Sequence, residues 1–347
     1  MDSDDPLSAS PASSSPPPRA QRPDGRLSTS VVVCAYTEER WKILIKALES
    51  VRQQTVPPDQ CLLVIDHNDL LLKRARTSIP LDVEVAPSEG PPGLSGARNT
   101  GVAHAACDIV VFLDDDVTAR PTFLQELLEH YSDPAVAGVG GRALPLWPTG
   151  RPGWFPEEFD WVVGCSYRGL PEQLAPVRNL MGAAMSFRYS ALAAAGPFDT
   201  AVGRAGALPL SCEETELSIR LRGSIGGAQL LYAPRATVDH TVSQDRASVH
   251  YFLRRCAAEG RSKALVAQRV GSDRALAAER EYTLRTLPLG LLRGLSKALR
   301  GDLDGLGCMA MIFAGFAATA AGYAVEALFL AASRWRRTWW RRAKALL

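Results

Sequence analysis

From Ser30 onward the apolar positions of the chain alternate between two textures. Short β-branched runs, VVVCAY (residues 31–36), CLLVID (61–66), VEVA (83–86) and IVVFL (109–113), have the length and composition of buried strands. Between and after them, TEERWKILIKALESVRQQ (37–54) and FLQELLEHY (123–131) repeat their apolar residues at helical spacing. Strands alternating with helices predict an α/β fold with a mostly parallel central sheet covered by helices. VAGVGG (136–141) begins a further strand. Residues 144–176 are dense in Pro, Gly and Trp and lack periodicity, as expected of an insertion or long recognition loop. Order returns with NLMGAAMSFRYSALAAAGPF (179–198), a Gly-containing loop to Pro209, a helix from about Cys212, and a basic helical stretch beyond Val249.

The ends differ in kind. The first 28 residues, rich in Ser, Pro and Asp, carry neither a basic nor an apolar leader region and read as a disordered tail. That places residues 29–245 in a catalytic-sized domain, with halves of about 29–120 and 121–245, followed by a basic helical region at 246–303. Residues 304–332 then form an apolar segment, uncharged between Asp304 and Glu326 and so long enough to cross a bilayer. Its Ala and Gly content also fits a buried or hairpin-like helix. The tail 333–347 interleaves Trp with Arg and Lys, as interfacial anchors do. A single span would carry this basic tail away from a cytoplasmic domain, against the positive-inside tendency, whereas a re-entrant or interfacial segment avoids the conflict. The expectation is contact with membrane lipids through the C-terminal region, at the cytoplasmic face.

Composition narrows the function. Lys plus Arg total 39 against 37 Asp plus Glu, so bulk charge gives no support to nucleic-acid binding. Seven widely spaced cysteines without a C-x-x-C pair read as free thiols in a reducing compartment. The candidate chemistry is acidic. Asp114, Asp115 and Asp116 end an apolar strand, where open α/β sheets place their ligands. Adjacent carboxylates repel unless a cation relieves them, and hard oxygen ligands suit Mg²⁺ or Mn²⁺; a strand-ending turn gives the same triplet. Asp66 ends another strand. GLSGARNTG (93–101) offers close backbone approach and Arg98, yet fits neither a Walker A nor a dinucleotide fingerprint. Glu213, Glu214 and Glu216 open a helix. Ser211 with Glu214 matches a capping box, and Glu216 with Arg220 an i,i+4 pair, while one of the acids could equally serve as a general base. His240 is a ligand candidate or a satisfied core residue. Trp147, Trp154, Phe155 and Trp161 either stack on a ligand or are buried, and Arg254, Arg255, Arg261 and Lys263 either meet a phosphate or form a solvated face.

In order and spacing, VVVCAYTEER, CLLVID, GLSGARNTG, VVFLDDD, NLMGAAMSFR and CEETELSIRLR resemble the family 2 glycosyltransferases, inverting enzymes of GT-A fold that use nucleotide sugars. The match runs from about Val31 to His240, and GRAG (203–206) with YFLRRCAAEGRSKA resembles the membrane-linked branch acting on polysaccharides and lipid-phosphate sugars. The resemblance implies that Ala35, Tyr36, Glu38 and Asp66 face the nucleotide and that Arg98 helps hold the donor. It also implies that Asp114 and Asp116 form the D-x-D element, with Asp116 the metal ligand, and that Glu214 is the catalytic base where relatives have Asp. Ala184 departs from a common Asn, and no Q-x-x-R-W element occurs, since VSQDRAS lacks the Trp. Single-sugar transfer is therefore expected, from a nucleoside-diphosphate sugar (UDP-sugar favoured) to a glycan or polyprenyl-phosphate-linked acceptor. A nucleotidyltransferase would carry a basic Gly-rich loop after the first strand, where this chain has CAYTEER. An inactive scaffold of the same fold is the remaining alternative.

Overall fold

The computed structural model describes residues 26–201, 211–271 and 277–344. The GRAG element of the sequence reading lies outside them. In chain order the strands are β1 (Thr29–Ala35), β2 (Gln60–Ile65), β3 (Glu84–Pro87), β4 (Ile109–Asp114), β5 (Val117–Ala119), β6 (Val136–Leu146), β7 (Ala175–Pro176), β8 (Ala184–Arg188) and β9 (Gln229–Thr241). The α-helices are α1 (Trp41–Arg52), α2 (Asp69–Ser78), α3 (Leu94–His104), α4 (Phe123–Leu128), α5 (Tyr189–Ala195), α6 (Glu213–Ser224), α7 (Val249–Val270), α8 (Ala277–Glu281), α9 (Leu287–Leu299) and α10 (Asp304–Lys344). A π-helical turn, Tyr282–Thr286, joins α8 to α9.

One sheet carries the order β3-β2-β1-β4-β8-β6-β9-β5, with β7 added beside β9. Its first four strands are parallel. Beyond β4 the sheet becomes mixed, because β8 runs antiparallel to both β4 and β6. The strand period of two explains the double burial: Val31 and Val33 enter one core with α1 residues Leu44, Leu48 and Val51, while Val32 enters the opposite core with Ala97. Asn68 caps α2 by accepting from Leu71 N at 2.9 Å, and Ser248 caps α7 by accepting from Tyr251 N at 3.2 Å.

The Gly-rich segment GLSGARNTG forms most of helix α3, with Gly93 at its N-cap. Its glycines are there for packing: a Cβ at Gly96 would strike the Pro91 carbonyl, and one at Gly101 would strike Val32. The capping box does not form. Cys212 occupies the N-cap of α6 with φ 75° and makes no side-chain cap, and Ser211 Oγ instead donates to Glu259 Oε2 at 2.7 Å.

A third core joins the aperiodic segment to the C-terminal helices through Phe155, Phe159, Phe252, Met311 and Ile312. Phe155 meets Phe252 edge-on at 5.2 Å, so burial accounts for it, and Trp147, Trp154 and Trp161 pack partly buried around the same cluster. Helices α7 and α10 approach at backbone distance, since Gly260 faces Thr319 O and Gly322 faces Ala257 O. Within α10, Asp304–Ser333 is long and apolar enough to cross a membrane by length and composition, and most of that segment is partly or fully exposed. Leu292 and Leu299 of α9, with Phe313, Leu328 and Phe329 of α10, add further exposed apolar surface.

Candidate active site

The carboxyl ends of the parallel strands converge on one cavity of about 1210 Å³. Ala35 and Tyr36 arrive from β1 and Asp66 from the end of β2; all three line it. Asp66 is held in place because its Oδ2 accepts from Gly93 N at 2.9 Å and its Oδ1 lies 2.8 Å from His67 Nδ1. Glu38 does not reach the cavity. It opens a short 3₁₀ turn, partly exposed, and the residue two positions later, Arg40, takes the inward place.

Asp114 ends β4, and Asp115 and Asp116 make the turn into β5. Antiparallel register sets Val117 opposite His240 of β9, which brings His240 Nε2 to 3.2 Å from Asp116 Oδ1. Arg40 Nη1 lies 2.8 Å from Asp115 Oδ1 and 3.1 Å from Asp116 Oδ2, and Arg246 Nη2 lies 3.6 Å from Asp116 Oδ2. Burial raises Asp115 to about 6 against the pull of Arg40, and Asp115 Oδ2 has no hydrogen-bond partner. Against the pull of Asp116, burial also lowers the pKa of His240, which favours the neutral imidazole.

Asp114, Asp116 and His240 can each offer one ligand atom, all within 4.8 Å of one another. Two carboxylates and a neutral imidazole suit a divalent cation such as Mn²⁺ or Mg²⁺. The unpartnered oxygen of Asp115 beside them marks a site whose negative charge is not fully compensated by the protein. The residues therefore fit a metal.

Arg98, expected to help hold the donor, lines the cavity but is almost wholly buried. Its guanidinium is 2% exposed and donates to Glu213 Oε1 at 2.9 Å, Asp114 Oδ1 at 3.2 Å and Gly182 O at 3.2 Å. It ties the acidic triplet to the start of α6. Glu213 is thereby the counter-ion of Arg98. Glu216 faces away from the cavity: Arg220 grips it through two bonds of 2.8 and 2.9 Å and continues to the carbonyls that end α5. Of the three acids, Glu214 alone stands at the cavity without a strong cation partner among the described contacts. Burial first, and the like charge of Glu213 second, push its carboxyl up to about 8.

The remaining wall comes from the aperiodic segment and from the C-terminal helices. Trp161, the π-turn residues Tyr282, Thr283 and Thr286, and Phe316, Thr319 and Tyr323 of α10 all line the same cavity. Tyr282 Oη donates to Glu158 O at 2.8 Å and accepts from Trp161 Nε1 at 3.0 Å, which fastens the π-turn, a feature common at functional sites, to the aperiodic segment. The basic cluster of α7 divides: Arg255 and Lys263 line the cavity, Arg261 pairs with Glu326 at 2.9 Å, and Arg254 is exposed. Sequence reasoning missed Arg40, Arg246 and Arg178. Arg40 and Arg246 sit in segments noted for other reasons, and no periodicity distinguishes an inward Arg there.

Residues 30–194 match the family described as Glycosyl transferase family 2. Glucosyl-dolichyl phosphate glucuronosyltransferase of Haloferax volcanii is 32% identical over 240 residues, which cover 68% of this chain and 76% of that protein. Pre-mycofactocin glycosyltransferase of Mycobacterium tuberculosis is 35% identical over 160 residues, 46% of this chain and 32% of that one. Among solved structures, the mannosyltransferase PcManGT from Pyrobaculum calidifontis, in complex with GDP-Man and Mn²⁺, aligns over 89% of both chains with a TM-score of 0.54 at 18% identity. That likeness identifies the fold as GT-A. With a relative above 30% identity over most of both chains, and strand ends that gather the acidic triplet and the α6 carboxylates in one cavity, the chain is a glycosyltransferase and belongs to family 2.

Proposed function

We propose that the protein transfers one sugar from a nucleoside-diphosphate donor, with UDP-sugars favoured, to a hydroxyl of an acceptor carried on a lipid phosphate, inverting the anomeric centre. The observation that carries this reading is the continuity of the cavity: one space joins Asp66, Asp114–Asp116 and His240 to Glu214 and then to the apolar helix α10. A soluble donor and a membrane-borne acceptor need such a shared space. The name of the Haloferax volcanii relative, which acts on a dolichyl-phosphate-linked sugar, supports the acceptor class. The exposed apolar surfaces of α9 and α10 support work at the membrane, on its cytoplasmic face, where nucleotide sugars are made.

Asp114, Asp116 and His240 would hold a Mg²⁺ or Mn²⁺ ion, which when bound stabilises the charge that develops on the leaving diphosphate. Arg40 and Arg246, beside Asp116, add positive charge on that side of the cavity. Glu214 accepts the proton of the acceptor hydroxyl at Oε1 or Oε2 as the hydroxyl attacks. A general base is what a hydroxyl acceptor requires, whereas a phosphate oxygen is already ionised; the raised Glu214 thus points to a hydroxyl. The aromatic and apolar wall limits water at the reacting carbon.

Calorimetric titration with a panel of UDP- and GDP-sugars, with and without Mn²⁺, tests the donor half. One donor should bind only with the cation, and Asp116→Asn should abolish that binding. Glu214→Gln should keep donor binding while turnover falls by about 10²–10⁴-fold. Donor binding unchanged in Asp116→Asn, or near-full turnover in Glu214→Gln, refutes the assignment.

A further inference from the structure

The same cavity holds a group of charges that donor binding and proton transfer leave without a task. Arg178, just after β7, meets Glu279 of α8 through two bonds, Nη1 to Oε2 at 2.5 Å and Nη2 to Oε1 at 3.0 Å. Lys263 of α7 donates to the same carboxylate, Nζ to Oε1 at 2.6 Å. One carboxylate is thus gripped by an arginine fork and an ammonium at once. Two oxygens of a phosphate present the same spacing and charge to such a grip.

Two further observations locate this grip along the path of an acceptor. Lys263 Nζ also lies 3.1 Å from Glu259 Oε1, and Glu259 accepts from Ser211 Oγ at 2.7 Å and from Arg255 Nη1 at 2.9 Å. Ser211 is three residues before Glu214, so the cations are tied to the element that carries the proposed base. The cavity that Arg178, Lys263 and Glu279 line is also lined by Thr286, Phe316 and Tyr323, the polar and apolar wall built by the C-terminal helices. Across the group, three cations face two carboxylates, which leaves one net positive charge.

We propose that Arg178 and Lys263 form the binding site for the acceptor's phosphate, a phosphodiester linking an isoprenoid chain to the sugar that is glycosylated, and that Glu279 is the resident carboxylate which this phosphate displaces. The proposal rests on the lipid-phosphate reading of the acceptor given above. A phosphodiester carries one negative charge, so the exchange for Glu279 leaves the charge of the group unchanged. Burial alone would favour a neutral Lys263, but Glu259 and Glu279 hold its pKa above the ordinary value, and Glu259 remains as partner after the exchange. A sugar without a phosphate offers these cations nothing, and they stay on Glu279. Acceptor choice then follows from competition between an internal carboxylate and an external phosphate.

The test uses the full chain in detergent micelles, with citronellyl phosphate and citronellol as calorimetric probes and citronellyl-phosphoryl-glucose as acceptor. Citronellyl phosphate should bind more tightly than citronellol. Arg178→Gln and Lys263→Gln should each weaken its binding by about tenfold or more, the size of one lost charge-assisted contact. Glu279→Gln should strengthen it, because the competing carboxylate loses its charge. In all three variants, Mn²⁺-dependent donor binding should stay within about twofold of the wild type, which also reports an intact fold. Equal binding of phosphate and alcohol overturns the proposal. So does equal weakening by Glu279→Gln and Arg178→Gln, the signature of a purely structural ion pair. Failure of the acceptor reading itself looks different: binding of citronellyl phosphate would still depend on Arg178, while sugar would pass to water-soluble glycans and never to citronellyl-phosphoryl-glucose.

Discussion

On the proposed reading, in which Glu214 is the base, its titration sets the pH range in which the protein should work. Its carboxyl stands in the cavity wall on the first turn of α6, where burial and then the adjacent Glu213 raise its pKa from 4.5 to about 8, against a backbone hydrogen bond and Arg98. At about 1.4 kcal/mol per unit, the rise corresponds to roughly 5 kcal/mol favouring the protonated form, an upper bound because cavity water screens it. Near pH 7 only about one molecule in ten then carries the ionised base. Initial rates should therefore show kcat/KM rising about tenfold from pH 6 to pH 7 and levelling above about pH 8.5. Stability runs the other way. A folded pKa above the unfolded value stabilises fully below about 4.5, and that contribution is lost as pH rises through about 8. Glu214→Gln, which has no proton to lose, should melt a few degrees above the wild type at pH 8.5 while losing its turnover. A flat pH profile between 6 and 9, a rising limb that persists in Glu214→Gln, or a variant less stable than the wild type at pH 8.5 would refute this account.

Two other perturbations follow from the geometry. Arg98→Met leaves the buried Glu213 and the partly exposed Asp114 near one another without their shared cation, and urea unfolding should show a loss of about 3 kcal/mol, partly recovered by adding Glu213→Gln. Leu292 and Leu299 are 62% and 80% exposed on α9, so Leu292→Glu with Leu299→Glu should release the protein from anionic vesicles in a flotation assay without changing its circular dichroism; undiminished flotation would remove α9 from the membrane contact.

The C-terminal segment shows where local reading stops. By composition alone, residues 304–332 read either as a membrane-associated segment or as a buried or hairpin-like helix. In the structure, Phe316, Thr319 and Tyr323 wall the cavity, and Gly260 and Gly322 let α10 lie against α7 at backbone distance. Removing α10 would therefore open the cavity as well as take away the apolar helix. The tail from residue 333 is likewise continuous with α10 as helix through Lys344.

What the sequence determined by itself is what depends on neighbours along the chain. Strand periodicity gave β1, β2 and β4 their buried runs, and a strand's direction puts Asp66 and Asp114 at carboxyl ends. The i,i+4 rule gave Glu216 its Arg220. Tertiary structure alone decided the partners that lie far apart in sequence: His240 reaches Asp116 through the β5–β9 register, Arg98 bridges to Glu213 across 115 residues, and Lys263 meets Glu279 inside the cavity. An acid at a helix start looks the same in sequence whether it caps, pairs or acts as a base. Burial and long-range charge separate those roles, and both are properties of the packed chain, since desolvation and Coulomb energy depend on distances in space.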